Sequence, residues 1–148
     1  MQDTHKGHEQ LLTFVIGEQW FGLPIRSIKD VMYTPTLTPV PLSPREVAGL
    51  LNLRGHIVTA IQTNKFFGID SHTEEKNNMC IVLQDHDEAL YSFIVDKVHD
   101  IEDLPETEFE KLPYNLASHW QTFATGIYKV ETKLIIVLNK AKILEKLC

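Results

Sequence analysis

Short apolar runs, separated by turn residues at intervals of roughly ten positions, dominate the chain. Val, Ile, Leu and Phe are common in these runs, and such residues suit the pleated, half-buried surface of a strand. Between seven and nine short strands are predicted, the clearest at residues 11–16, 20–25, 47–53, 56–61, 79–83, 90–95, 123–130 and 133–138. Helices do not alternate with these runs, which excludes a parallel β-α-β arrangement and is typical of sandwiches and small barrels.

The segment Arg26–Tyr33 has a different spacing. Ile28, Val31 and Met32 recur at the interval expected on one face of a helix, so a short helix is predicted here. Just before it, Pro24 cannot donate to a ladder of hydrogen bonds, which places that end of its strand at a sheet edge.

Irregular segments interrupt the strands at predictable places. Residues 34–44 contain four prolines and cannot form regular structure. Residues 1–10 are mostly polar and are predicted to be a flexible tail. Near the other end, Asn139 is predicted to cap a C-terminal helix whose apolar face comprises Ile143, Leu144 and Leu147.

Two segments of the chain show a weak internal sequence similarity. Residues 21–25 lead into residues 28–31 in the way that residues 91–95 lead into residues 96–98, because in both places an apolar strand precedes an acidic residue, a lysine and a valine in close succession. This pattern favours a mostly β fold in two similar halves.

Composition narrows the function classes. The 148 residues are 43% apolar and 23% charged, which is ordinary for a folded globular domain. A net charge of −6 disfavours nucleic acid and anionic membranes as partners. No run approaches the roughly 18 apolar residues of a membrane span, and no signal peptide begins the chain. We therefore expect a cytoplasmic protein without direct membrane insertion, whose Cys80 and Cys148 are reduced thiols.

Signals for catalysis or metal binding are weak. No glycine-rich phosphate loop is present, and the seven histidines are scattered. His5 and His8 lie three positions apart without further ligands, and Cys80 lies in an apolar run typical of a buried residue. The carboxylates of residues 96–110 are typical of a solvated face, although a small metal-dependent hydrolase using them with a histidine is an alternative. No metal or cofactor is expected.

One charged residue stands out in an apolar setting. Arg54 lies with Gly55 between the predicted strands 47–53 and 56–61. A hairpin turn that points the arginine into water would explain this arrangement. An interface is the alternative explanation, because a planar guanidinium with five donors is favoured at protein contacts.

The sequence around this arginine resembles the CheW-like coupling proteins of bacterial chemotaxis. The run from Asn52 to Ile57 is similar to their signature, and the resemblance extends over residues 11–147. Phe21-Gly22-Leu23, the stretch Ile28-Lys29-Asp30-Val31 and the stretch 93–98 match further family segments. The chain departs from the family pattern at residues 59–64, where a charged pair is missing, at Ser92, where glycine is common, and at Asp30, where glutamate is usual.

The resemblance implies a single domain over residues 11–148 with two five-stranded SH3-like barrels, short helices and a C-terminal helix. It also implies a scaffold that is not an enzyme. Such a scaffold couples the cytoplasmic tips of methyl-accepting chemoreceptors to the regulatory domain of the chemotaxis histidine kinase. Receptor helices would bind an apolar groove, the kinase would bind a barrel edge, and the chain would be recruited to membrane-associated receptor arrays. An adaptor of another chemosensory pathway, for example pilus motility, is the nearest alternative.

The resemblance also implies the residues that bind partners. Arg54 and Asp30 are expected to form a paired charged element at the receptor or kinase face. Asn52 and Gly55 are expected to shape the turn that presents the arginine, and the apolar contacts are assigned to Ile28 and Ile57.

Overall fold

The computed structural model describes residues 7–71 and 78–147. Ten strands lie within them: β1 His8–Ile16, β2 Gln19–Pro24, β3 Ile28–Tyr33, β4 Val47–Leu53, β5 His56–Gln62, β6 Met79–Gln84, β7 Leu90–Val95, β8 Lys97–Pro105, β9 Ala124–Val130 and β10 Lys133–Leu138. The α-helices of this part are short: α1 Thr63–Phe67, α2 Ser118–Phe123 and α3 Lys140–Leu147. Single turns of 3₁₀ helix lie at Ile25–Ser27 and Glu106–Glu108.

The strands form two five-stranded sheets, ordered β8-β1-β2-β10-β9 and β3-β6-β7-β5-β4. The chain divides into two compact units that follow these sheets. The first unit contains the described residues up to Phe14, Gln19–Ile25 and those from His99 onward, and the second contains Val15–Glu18 and Arg26–Val98. The prediction of a mostly β fold with two five-stranded sheets, short helices and a C-terminal helix is confirmed.

The two halves of the chain share one order of elements. Each half has two neighbouring strands, a third strand that joins the other sheet, then an antiparallel hairpin and a helix. Each sheet is completed by one parallel pair, β2 with β10 and β5 with β7. The internal sequence similarity noted above falls on β2 and β7, which hold equivalent places in the two sheets.

The predicted helix over residues 26–33 is wrong. A 3₁₀ turn covers its beginning, and β3 follows and pairs antiparallel with β6. The register shifts between Ile28 and Asp30, so Ile28 lies opposite Leu83 and Val31 lies opposite Ile81. Because those partners are two residues apart on β6, the bulge brings Ile28 and Val31 to one face, which imitates helical spacing.

Two further expectations about strand ends are corrected. β2 lies inside its sheet, between β1 and β10, rather than at an edge. Pro24 is tolerated because it is the last residue of β2, beyond the pairing of residues 20–22 with β10.

β1 begins at His8, so residues 8–10 belong to a strand rather than to the tail predicted over residues 1–10. The first six residues of that tail lie outside the described part of the chain.

The local predictions are confirmed elsewhere. β4 with β5, β6 with β7 and β9 with β10 form antiparallel pairs at the expected positions. Asn139 caps α3, because its Oδ1 accepts a hydrogen bond from the Lys142 amide at 3.2 Å. Ile143 and Leu144 are buried on the inner face of α3.

Each sheet is curved so that its two edge strands contribute side chains to one apolar core. In the second unit Met32 of the edge strand β3 and Leu53 of the opposite edge strand β4 pack against the same cluster, formed by Leu51, Val58, Ala60, Cys80 and Ile94. In the first unit the edge strands β8 and β9 contribute Leu104 and Tyr128 to a cluster with Leu11, Ile135 and Val137. A sheet that curls in this way is a small barrel.

In each unit, one edge strand gains a backbone partner from a residue outside the named strands. Thr38, from the proline-rich segment, pairs with Leu50 of β4, and Glu110 pairs with Ile127 of β9. A glycine precedes each paired strand residue. A Cβ atom on Gly49 would lie 2.6 Å from the Thr38 carbonyl oxygen, and one on Gly126 would lie 2.6 Å from the Glu110 oxygen. Glycine therefore permits the close approach that satisfies these edges.

Replacing Gly49 with alanine should lower the free energy of unfolding by about 2 kcal/mol or more, because the methyl group collides with the Thr38 backbone. Gly68→Ala is the control for backbone strain: the φ angles of Gly49 and Gly68, +150° and +70°, are both positive, but a Cβ on Gly68 meets nothing within 4 Å. The control should lose only about 1 to 2 kcal/mol, from backbone strain alone. Urea denaturation measures both losses, and a larger loss for Gly68→Ala would contradict this account.

Candidate functional site

Arg54 and Gly55 form the two-residue turn between β4 and β5. Their φ angles are +49° and +88°, and Leu53 pairs with His56 on either side. Two positive φ values in a two-residue hairpin loop define a type I′ turn, which matches the twist of the strands. The Asn52 Oδ1 accepts a hydrogen bond from the Gly55 amide at 2.9 Å. The structure thus places Asn52 and Gly55 where they shape the turn that carries Arg54.

Arg54 contacts Asp30 across the end of the barrel. The Arg54 Nη2 donates to the Asp30 Oδ2 at 3.0 Å, and the other Asp30 oxygen accepts the Val31 amide at 2.8 Å. The second hydrogen bond ties the carboxylate to the strand just after the bulge in β3. Because β3 and β4 are opposite edges of the second sheet, the ion pair joins the two edges of one barrel.

The exposure of this ion pair limits how much it contributes to the stability of the fold. The Arg54 side chain is 76% exposed and that of Asp30 is 29% exposed. An ion pair in such a position stabilises a fold by only about 0.2 to 1 kcal/mol. The guanidinium carries five donors and uses one of them in its hydrogen bond to Asp30. The pair therefore orients an accessible cation more than it supports the fold.

The two predicted apolar residues differ in position. Ile57 lies opposite Asn52 on the neighbouring strand and is 61% exposed. Ile28 is partly buried. Its partner Leu83 and the partner of Asp30, Val82, are adjacent on β6, so Ile28 lies on the opposite face of β3 from Asp30. The structure therefore brings together Asp30, Asn52, Arg54, Gly55 and Ile57, but not Ile28. We call these five residues the Arg54 corner.

A groove that sequence reasoning missed lies in the same unit. Its volume is about 590 Å³, and its walls come from the proline-rich segment, β4, the end of β5 and α1: Thr34, Pro35, Thr36, Leu37, Val47, Ala48, Gln62 and Lys65. The only sequence signal for it was the cluster of prolines, because a segment without regular pairing leaves space beside the strand that it crosses.

The cysteine and histidine candidates occupy structural positions. The Cys80 sulfur is buried, 3.3 Å from the Thr34 hydroxyl and 3.4 Å from that of Ser92. The His8 Nδ1 lies 3.2 Å from the Asp103 Oδ1. His5 and Cys148 lie outside the described residues. In residues 7–71 and 78–147, no group of three or more His, Cys, Asp or Glu side chains could hold a metal ion.

The acidic segment 96–110 is spread over structural contacts. Asp96 is buried, and its two oxygens accept hydrogen bonds from the Gly17 amide at 2.8 Å and from the Ser71 hydroxyl at 2.5 Å. Glu110 lies 3.6 Å from the Lys129 ammonium. Asp96 therefore ties the turn between β1 and β2 to the end of β7, and these contacts do not form the acid–base pair that a hydrolase requires.

The clearest shift in acidity lies in the first unit. Burial raises the pKa of the Tyr128 hydroxyl, and the negative charges of Glu9, Glu106 and Glu108 raise this pKa further. Both causes favour the neutral phenol, which fits a core residue 2% exposed to solvent.

Tyr128 should make the fold sensitive to alkali. Its pKa in the folded chain lies above the ordinary value of 10.0, so the folded state holds the proton more tightly than the unfolded state. This contribution is complete below about pH 10 and is lost as the pH rises through the folded pKa. The unfolding free energy of Tyr128→Phe should therefore fall less between pH 9 and pH 11, roughly either side of the ordinary phenol pKa, than that of the wild type. Identical slopes would contradict the assignment.

The Arg54 corner should contribute little to stability. Asp30→Ala and Arg54→Ala should each lower the unfolding free energy by at most about 1 kcal/mol, and a double-mutant cycle should give a coupling of about 0.2 to 1 kcal/mol. Raising the salt from about 0.01 M to about 1 M should abolish the coupling, because the Debye length falls to about 3 Å. A coupling of several kcal/mol would show that the pair supports the fold.

Comparisons with known proteins agree with this architecture. Residues 10–148 match the family model described as the CheW-like domain. Chemotaxis protein CheW of Thermotoga maritima is 31% identical over 138 residues, which cover 93% of this chain and 89% of that protein. Chemotaxis protein CheW of Helicobacter pylori is 26% identical over 137 residues, which cover 93% of this chain and 82% of that protein.

A solved structure shows the same fold. The crystal structure of scaffolding protein TtCheW from Thermoanaerobacter tengcongensis matches with a TM-score of 0.83 at 28% identity, covering 93% of this chain and 92% of that one. No helix in the described part of the chain is long and apolar enough to cross a membrane. The family model, the relatives and the matching structure agree, and the chain belongs to the CheW-like domain family.

Proposed function

We propose that this chain is a chemotaxis scaffold that couples chemoreceptor cytoplasmic tips to the regulatory domain of the chemotaxis histidine kinase. It acts in the cytoplasm, is recruited to receptor arrays and carries out no chemistry of its own. The family membership supports this role, as do the relatives named chemotaxis protein CheW and the related structure named a scaffolding protein.

The Arg54 corner is the observation that carries the proposal. Arginine and large apolar residues dominate the energetics of protein interfaces, where a guanidinium can make several hydrogen bonds in one plane. Here the guanidinium is held on a tight turn by Asp30, while Ile57 stands exposed on the outer face of β5. A partner would meet a cation whose position is already restricted, so less conformational entropy is lost on binding.

The remaining contacts of the corner serve the same purpose. The hydrogen bond from Gly55 to Asn52 fixes the turn, and the link from Val31 to Asp30 fixes the carboxylate. The outer edges of β4 and β9 are covered at Thr38 and Glu110, so side chains rather than free backbone groups are offered to a partner there. We assign Arg54 and Ile57 to direct contact, and Asp30, Asn52 and Gly55 to positioning.

Titration calorimetry against the kinase regulatory domain tests this assignment. Arg54→Ala should weaken binding at least tenfold, about 1.4 kcal/mol. That exceeds the stability contribution of an exposed ion pair, and circular dichroism should show an unchanged fold. Asn52→Ala should give a smaller loss, because it removes one neutral hydrogen bond within the turn.

Glu131→Ala supplies the matched control. Glu131 is exposed and has a φ of +56° in the turn between β9 and β10, which is the counterpart of the Arg54 turn in the other unit. This variant should bind the kinase as the wild type does. If Arg54→Ala and Asp30→Ala both leave kinase and receptor binding unchanged, the corner is not the site. If the folded wild type binds neither partner, the scaffold serves another pathway.

A further inference from the structure

The groove beside the proline-rich segment takes no part in the contacts proposed so far. Its walls belong to the second unit and include the start of β4, the end of β5 and part of α1. The Arg54 turn joins the other ends of β4 and β5. Because β5 runs over seven residues at about 3.3 Å each, about 20 Å of strand separates the groove from that turn. The groove is therefore a surface distinct from the Arg54 corner.

Residues 34–37 form one wall of the groove. At the two ends of this wall, the Thr34 and Thr38 amides donate to backbone carbonyls of other segments at 3.0 Å and 2.8 Å. Between these points, Thr36 and Leu37 make no backbone hydrogen bond to any residue that the structure describes. Their amides and carbonyls are thus held between two fixed points and can pair with another chain, as a sheet edge pairs with an added strand.

The charge of the groove favours a negatively charged ligand. Lys65 is exposed, and its ammonium group has neither an ion pair nor a hydrogen bond to a described residue. Aspartate and glutamate are absent from the described residues of the lining, whereas Thr36 and Gln62 add uncharged hydrogen-bond donors. Salt screens charges beyond about 8 to 10 Å, so the lysine nearest the ligand matters more there than the net charge of −6 on the whole chain.

The remaining side chains of the lining are apolar. Leu37, Val47 and Ala48 are partly buried, and Pro35 belongs to the same lining. An extended chain turns successive side chains to opposite faces, so one segment can set an apolar side chain against this wall and direct a carboxylate toward Lys65. An α-helix would satisfy its own backbone groups and leave those of the wall without partners. A basic segment would be repelled by the lysine.

We propose that this groove binds an extended acidic segment of a protein partner. The segment lies alongside residues 34–37, exchanges backbone hydrogen bonds with Thr36 and Leu37, and places a carboxylate within reach of the Lys65 ammonium. Charge complementarity and the unmatched backbone groups of the described wall identify this occupant by its chemistry. The inference goes beyond the proposed function and does not depend on which protein supplies the segment.

A short blocked peptide of alternating valine and glutamate is the probe, titrated into the isotope-labelled full chain while its amide NMR signals are recorded. The signals of Thr36, Leu37 and Ala48 should shift saturably, with a Kd of about 1 mM or tighter. Lys65→Gln should weaken this binding about tenfold, because a charge-assisted hydrogen bond becomes a neutral one. Lys142→Gln, at an exposed lysine of the helix α3, is the matched control and should bind as the wild type does.

The contrary outcomes are equally specific. Equal binding by Lys65→Gln, or equal binding of a valine–glutamine peptide to the wild type, would overturn the recognition of charge. Acetate that reproduces the same shifts at the same concentration would show a site for free carboxylates rather than for a peptide. If no saturable shift occurs at the groove, the proposal fails as a whole. The kinase and receptor titrations test the proposed function separately, so either proposal can fail while the other stands.

Discussion

The closure of each five-stranded sheet on itself is the constraint that organises this chain. Two edge strands must share one apolar core, and the outermost backbone groups still need partners. In the second unit Met32 and Leu53 bring opposite edges to one cluster, and Thr38 covers β4 where Gly49 lets it approach. Glu110 and Gly126 repeat the arrangement in the first unit, so one solution to edge pairing is used twice.

The proposed binding features follow from that closure. Arg54 lies on the β4–β5 turn and Asp30 on β3, and these meet because the sheet has brought its edges together. The segment that crosses from β3 to β4 connects the two opposite edge strands of the sheet, and Leu42 within it is exposed to solvent. Elements that complete the barrel therefore also hold the side chains offered to partners. A scaffold needs such placement more than it needs reactive groups.

Short-range patterns were sufficient for most elements. The hairpins were predictable because their strands, turns and pairing lie within a few residues of one another, as at Arg54-Gly55. β3 was mistaken for a helix because a bulge changes the interval between Ile28 and Val31 from two residues to three. β8 was missed because its charged residues conceal the alternation of an edge strand, in which only Leu104 is fully buried.

By itself the sequence determined the hairpins, the Asn52–Gly55 turn, the cap at Asn139 and, by resemblance, the family, since each depends on neighbouring residues or on a motif. Tertiary structure alone decided that β3 joins the other half's hairpin, that Ile28 turns away from the Asp30–Arg54 pair which the resemblance implied, and that Leu42 is left exposed. These outcomes depend on pairing between distant segments. Because one shift of register exchanges the two faces of a strand, no local pattern could specify them.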